Sequence, residues 1–437
     1  MYSIADRVRS NIVGLAAVGA LTALSGTMAN AQVYDRLLDS EIPLSTRTGR
    51  NQGVTERPHP ELQAQGLPVG SFRLYPEVTA GAGFTSNVIG QEDGNEADGY
   101  VMLRPEVELR SQWSSHSLRA NAYYEGRRFF DTTAKNRNAY LVSVEGQYDT
   151  SRDGYALFRA AARRNYEDQT SGNFPDNGAG AVAIDVLSAL ARVRHQFNRV
   201  ILTGNADYSD FNFQPTVTTT DRRLDLDYRD HAVGRATVRA EYELSPDNAV
   251  FTQFTYQNVR YDQRGVTTDR GGDEWRLGVG AIADVTSLLR LAGAVGYFRR
   301  SYDNGLLRPI SSFNVDLQAT YYLSPLTTAS AIITRQLEEA AVTGSSGYIS
   351  NRASVRVDHE LLRNLRPYAY AGYDKSDFKG IDRTDNRINT GLGAVYDANR
   401  NFSFSGEVSY IARDSDGVNR GPRINEFRTM ITTRAKL

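Results

Sequence analysis

The residues able to do acid–base or nucleophilic work are few and scattered. There are five histidines and no cysteine, so no thiolate can attack a substrate, hold a metal or form a disulfide. His59 precedes the regular segments, His116 falls in a short turn, and His195 and His359 fall near segment ends. His231 alternates with Val233 and Arg235, and no Ser or acidic residue joins it in a recognisable catalytic motif. The acidic stretch 221–230 lacks the fixed spacing of a calcium loop, and no paired histidines offer a metal site. Gly278-Val279-Gly280 lies inside an alternating segment with no helix after it, so it reads as close packing in a strand and not as a phosphate loop. No catalytic residue, metal ligand or cofactor is assigned.

The charges that alternate with apolar residues carry more weight. Val101, Leu103, Val107 and Leu109 fall opposite Arg104, Glu106, Glu108 and Arg110. Ala232, Gly234, Ala236, Val238, Ala240, Tyr242 and Leu244 fall opposite Arg235, Thr237, Arg239, Glu241 and Glu243. Phe402, Phe404, Val408 and Tyr410 oppose Ser403, Ser405, Glu407 and Ser409. A period of two with one apolar face is the pattern of a strand with lipid on one side and water on the other. It makes Arg104, Glu106, Arg110, Arg235, Arg239, Glu241, Arg352, Arg356, Glu407 and Arg428 candidates for the wall of an aqueous lumen. Such charges can face a hydrated solute or pair with one another to brace the wall, and the sequence supports both.

Alternating segments recur from 71–87 to 423–437, joined alternately by short turns and long polar loops such as 167–182, 214–227 and 262–272. Eighteen can be read, with sixteen as the alternative count. The fold expected is all-β: a monomeric, transmembrane, antiparallel up-and-down β-barrel in a bacterial outer membrane, with short turns in the periplasm and long loops outside. Both termini then lie on the periplasmic side. Mean hydropathy is −0.46, compatible with spanning strands because only every second residue meets lipid. The 25 tyrosines suit the interfaces, where a ring has one wet end. Net charge is −1, from 50 basic and 51 acidic residues, and gives no footing for nucleic acid. The expected partners are outer-membrane lipid and lipopolysaccharide. The last segment runs to Leu437 like the terminal strand read by barrel-assembly machinery, although that signal usually ends in an aromatic residue.

The ends divide the chain further. Arg7 and Arg9, an apolar run over 12–24 and Ala29-Asn30-Ala31 form the pattern of a cleaved signal peptide over 1–31. Residues 32–70 are polar, hold Pro43, Pro58, Pro60 and Pro68, and show no period, so they read as a periplasmic arm or as a plug folded into the pore. The barrel is assigned to 71–437.

Arg57-Pro58-His59-Pro60, Gly66, Val69-Gly70-Ser71-Phe72, Leu74, Pro76 and Ser86-Asn87 resemble the opening of the putative outer-membrane β-barrel porin family (type 2). The resemblance implies a barrel that accompanies exopolysaccharide export, with periplasmic export components as partners and no catalytic residues. It points to passage or assembly of a surface polysaccharide. A small-solute diffusion porin is the alternative, and an outer-membrane lipid-modifying enzyme is the weakest of the three readings.

Overall fold

The computed structural model describes residues 42–44, 51–93, 96–175, 177–263 and 269–437. The segment 1–31 lies outside them. Eighteen long strands form the wall. They are β1 (Phe72–Thr85), β2 (Asp98–Ser111), β3 (Ser117–Phe129), β4 (Arg137–Ser151), β5 (Gly154–Tyr166) and β6 (Ala183–Phe197). Next come β7 (Val200–Phe213), β8 (His231–Ser245), β9 (Asn248–Tyr261), β10 (Gly272–Asp284), β11 (Leu289–Arg300) and β12 (Ile310–Ser324). The last are β13 (Thr327–Glu338), β14 (Gly347–His359), β15 (Leu365–Lys379), β16 (Thr384–Asp397), β17 (Phe402–Asp416) and β18 (Ile424–Lys436).

Each strand pairs antiparallel with the next, and β18 closes on β1 from Glu77↔Lys436 to Thr85↔Arg428. Closure removes the two terminal edges of the sheet, as a sheet that spans a bilayer requires. Where β18 stops, a three-residue strand, Leu67–Val69, folds back on β1 with register Leu67↔Leu74 to Val69↔Phe72. The amide of Leu437 donates to the Pro76 carbonyl at 3.2 Å, so the final residue is held by β1.

Alternation fixes the faces. In β8 the buried residues are His231, Val233, Arg235, Thr237, Arg239 and Glu241, while Val238, Tyr242 and Leu244 are exposed to lipid. Outward tyrosines near the long-loop end reach polar partners: Tyr124 to Asn138, Tyr256 to Asp273, Tyr373 to Asn386 and Tyr410 to Asn425, at 2.6–3.1 Å. Phe72 and Trp113 meet edge to face at 5.4 Å at the opposite end. Two interfacial girdles result.

The stretch 249–261 alternates poorly in sequence because β9 carries large residues on both faces. Phe254 and Tyr256 face lipid, while Phe251, Val259 and Tyr261 are buried inside. Phe251 lies flat over Gly280 of β10, whose missing side chain makes the room, and the Arg239 guanidinium stacks on its ring at 3.6 Å. Gly280→Ala is therefore expected to destabilise the barrel by about 1–3 kcal/mol through overpacking. A lower urea midpoint for retention of the folded band would show it, and Gly234→Ala, with open space around it, serves as the control.

Candidate functional site

All ten charged residues singled out above project from the inward faces of their strands. Most are paired. Arg104 bonds Glu106 at 2.9 Å, and Glu106 also accepts from Asn121 at 2.9 Å. Arg110 bonds Glu108 at 2.6 Å, which Arg119 of β3 reaches at 3.0 Å. Arg235 donates to Gln257 at 3.0 Å. Arg352 pairs with Asp374 at 2.7 Å and Arg356 with Asp358 at 2.8 Å. Glu407 accepts from the Tyr368 and Tyr370 hydroxyls at 2.6 and 3.2 Å. Glu241 stands 4.0 Å from Arg239. The wall is thus a mesh of guanidinium–carboxylate pairs running round the lumen, polar enough for a hydrated solute and already neutralised.

Two segments fill the ends of this mesh. At the short-turn end, Arg239 donates to the carbonyls of Pro43 and Leu44 at 2.7 and 2.8 Å, and Leu44 packs against Phe251, Ile282 and Ala292. Further along, Asn51 donates to the Ser287 carbonyl and the Val54 amide to Thr328 Oγ1 at 3.0 Å. Arg57 bonds the Pro325 carbonyl and the Glu360 carboxylate, the latter at 2.6 Å. His59 lies 3.8 Å from Glu360, and Glu61 3.7 Å from Arg363. Residues 51–61 therefore run along the short-turn rim under β10–β15, and 42–44 reach into the lumen.

At the long-loop end, the 167–182 loop leaves β5 and crosses the mouth. Asp168 pairs with Arg428 of β18 at 2.9 Å, and Thr170 accepts from Arg387 of β16 at 3.3 Å. The Ser171 carbonyl accepts from Arg413 of β17 at 2.7 Å. Asn173 donates to the Glu339 carbonyl at 2.8 Å and accepts from the Ala341 amide at 2.9 Å. On the near side, Glu167 and Arg229 form a two-pronged pair at 3.0 Å, both side chains no more than 3% exposed. Phe174 and Val182 of this loop, with Leu226 of the 214–230 loop, pack on Ile184, Val186, Phe211, Phe213, Val233, Val259 and Tyr261 of the inner wall. That apolar core inside a barrel mouth holds two loops in place.

His231 belongs to this core. Its ring stacks between Phe211 and Tyr261 at 4.8 and 5.1 Å, and Nδ1 meets the Arg229 carbonyl at 2.7 Å. Among the described residues no group of three or more His, Asp and Glu could hold a metal ion.

The loop package carries one titration worth measuring. Lys135, in the 130–136 loop, is buried over the Phe174 ring and donates to Gln169 at 3.1 Å. Burial first, then Arg137 beside it, pulls its ammonium from an ordinary 10.5 to about 7, while Glu426 and Asp168 pull the other way. Burial alone would raise the Asp168 carboxyl, but the Arg428 guanidinium outweighs it and holds the group well below the usual range. Because Lys135 is depressed, folding favours its neutral form, and stability is gained as pH rises from about 7 toward 10.5. Protease resistance of the 167–182 loop should rise across that window, and Lys135→Met should flatten the rise.

A model of the putative beta-barrel porin 2 family matches residues 59–436. The chain belongs to that family. No curated protein matches the sequence. Among solved structures this porin-family chain is similar to the outer-membrane protein OpdK (OccK1) of Pseudomonas aeruginosa, at 9% identity and a TM-score of 0.48, over 83% of this chain and 99% of that one. It is also similar to the siderophore receptor PiuA of Acinetobacter baumannii, at 8% identity and a TM-score of 0.46, over 85% and 82%. The family and the closed barrel place it in the bacterial outer membrane.

The alternation singles out Arg428 among the groups that anchor the 167–182 loop of this porin, through Asp168, but not the others. Arg383, which donates to the Gly172 carbonyl at 3.3 Å, Arg387 and Arg413 sit near strand ends, where alternation says nothing about a loop arriving from across the mouth. The one available signal was length, since a long polar loop holding Phe174 and Val182 has apolar groups to bury.

Proposed function

We propose that this porin-family chain is a gated outer-membrane channel taking part in export or assembly of a surface exopolysaccharide. The observation that carries the reading is a strap, described over residues 42–44 and 51–61, fastened to Arg239 and along the short turns. Free diffusion of small solutes gains nothing from a covered periplasmic mouth. A channel that receives a polymer from periplasmic export components needs that mouth narrowed until the polymer arrives. Paired guanidinium and carboxylate groups suit a neutral or weakly charged sugar chain, offering hydrogen bonds to hydroxyls without a net field that would trap it. The family resemblance supplies the substrate class.

The second reading is a small-solute porin, favoured by the same mesh of charges, which transverse fields in diffusion pores also use. Catalysis has no place in either. The one histidine at outer-leaflet level, His231, is enclosed by aromatic rings on the lumen side. Outward polar side chains such as Arg128 and Asn138 would face lipopolysaccharide.

Surface polysaccharide on cells lacking this chain tests the reading. It should fall to a small fraction of the wild-type amount and return on complementation. An unchanged amount together with slowed uptake of small solutes would transfer the assignment to the diffusion porin.

A further inference from the structure

The wall has a seam. Between β12 and β13 the ladder runs from Ser324↔Thr327 up to Val315↔Arg335 and stops there, although β12 continues to Ile310 and β13 to Glu338. Above that point β12 pairs only with β11, as far as Arg300↔Ile310, and β13 only with β14, as far as Glu338↔Tyr348.

The side chains show how the two edges lie. Leu337 shares its face with Ile333, which is exposed to lipid, and Ile349 shares its face with exposed Val355 and Val357, so both belong to the outer face of the wall. Phe298 and Ile310 lie on the inner face, opposite in parity to exposed Tyr297 and Phe313. Yet these four form one buried cluster with Tyr302, Leu337 at 6% exposure and Ile349 at 2%. An outer face can pack on an inner face only where one layer passes behind the other. The tops of β13 and β14 therefore tuck to the lumen side of β11 and β12.

Three further contacts agree with the same overlap. Arg335, on the outer face of β13, donates to Ser312 Oγ on the inner face of β12 at 3.1 Å. Arg300, on the inner face of β11, bonds Glu339 just beyond β13. Tyr261, on the inner face of β9, donates to the same Glu339 carboxylate at 2.7 Å.

We propose that this overlap is a lateral portal between the lumen and the outer leaflet, taking the hydrocarbon chain of a membrane amphiphile. Along most of the wall a molecule leaving the lumen sideways must break a run of backbone hydrogen bonds, and no other pair of consecutive strands leaves as long a stretch of strand unpaired as β12 and β13. Here the layers are joined by side chains, and the surfaces facing each other are apolar: Phe298, Ile310, Leu337 and Ile349. The outer lip is continuous with the lipid-facing surface through Phe313, which is 69% exposed. A lipid chain can enter between the layers and exchange one apolar environment for another, while a hydrated sugar cannot.

Quenching of tryptophan by lipid tests this on the full chain, which has only Trp113 and Trp275 to remove. In a Trp113→Phe, Trp275→Phe background, single tryptophans are placed by Ile349→Trp, by Phe313→Trp at the lipid surface, and by Val233→Trp behind an unbroken ladder. Each variant is reconstituted in phosphatidylcholine vesicles with brominated acyl chains. Ile349→Trp quenched nearly as strongly as Phe313→Trp supports the portal, because lipid chains then reach between the layers. Quenching no greater than that of Val233→Trp overturns it. Leu337→Trp replaces Ile349→Trp if that variant loses heat-modifiable migration.

Discussion

Deleting residues 32–65 is expected to raise single-channel conductance in planar bilayers several-fold while the barrel still folds. The described residues of the segment, 42–44 and 51–65, contribute no wall strand: the short strand that completes the wall below β18 begins at Leu67, outside the deletion. What these residues contribute is obstruction, with Leu44 among Phe251, Ile282 and Ala292, and Arg57 on Glu360 and Pro325. Its removal leaves Arg239 and Glu360 facing water, where the loss of a partner costs little. Heat-modifiable migration would confirm that the shortened chain is a barrel. Conductance equal to that of the full chain would mean that the barrier lies elsewhere, and the strap would lose its role as a gate. Arg57→Ala should give a smaller opening in the same direction, since it frees the strap at two turns and leaves Arg239 holding Pro43 and Leu44.

The second large effect is expected at the other mouth. Glu167→Gln keeps the shape of the side chain but removes the charge facing Arg229 in a pair that is almost wholly buried. Removing one member of a buried pair typically costs about 3–5 kcal/mol, because the remaining charge stays in a poor dielectric. Strand ladders on both sides hold the barrel, so the cost should fall on the loop package of Glu167, Phe174 and Leu226. Limited proteolysis from the outside should then cut within 167–182 at least tenfold faster, as a local opening free energy reduced by about 1.4 kcal/mol or more would require. Exposed Glu92, bonded to Arg420 at 2.8 Å, gives the matched control, and Glu92→Gln should leave the cutting rate unchanged. If both variants are cut alike, the buried pair is not what secures the loop. Combined with the arm deletion, Glu167→Gln should raise conductance beyond the deletion alone, because the two mouths are obstacles in series.

Both effects depend on segments whose sequence gives little away. The strap has no period, and its contacts are made by single side chains and carbonyls to turns hundreds of residues later, such as Val54 to Thr328 and Arg57 to Glu360. Arm and plug are equally compatible with the sequence for that reason, since proline and polar content describe an extended chain without saying what it touches. Likewise, polar composition marks 167–182 as a loop, but its inward course is decided by where Arg387, Arg413 and Arg428 stand on the far wall.

The wall itself is another matter. A strand that meets lipid on one side and water on the other must alternate, and every neighbour must do the same, so period and turn spacing together give the barrel class, a count of eighteen with sixteen as the alternative, and Arg104, Arg235, Arg352 and Arg428 as candidates for the inner face. This is local information, repeated along the chain. Only the tertiary structure decided what occupies the lumen and where one ladder stops short so that two strand pairs overlap. Leu337 and Ile349 carry the alternation of lipid-facing residues and are nonetheless buried, because two strand pairs slide past one another. Overlap of layers is a relation between faces that sequence assigns separately, and no period within either strand records that they meet.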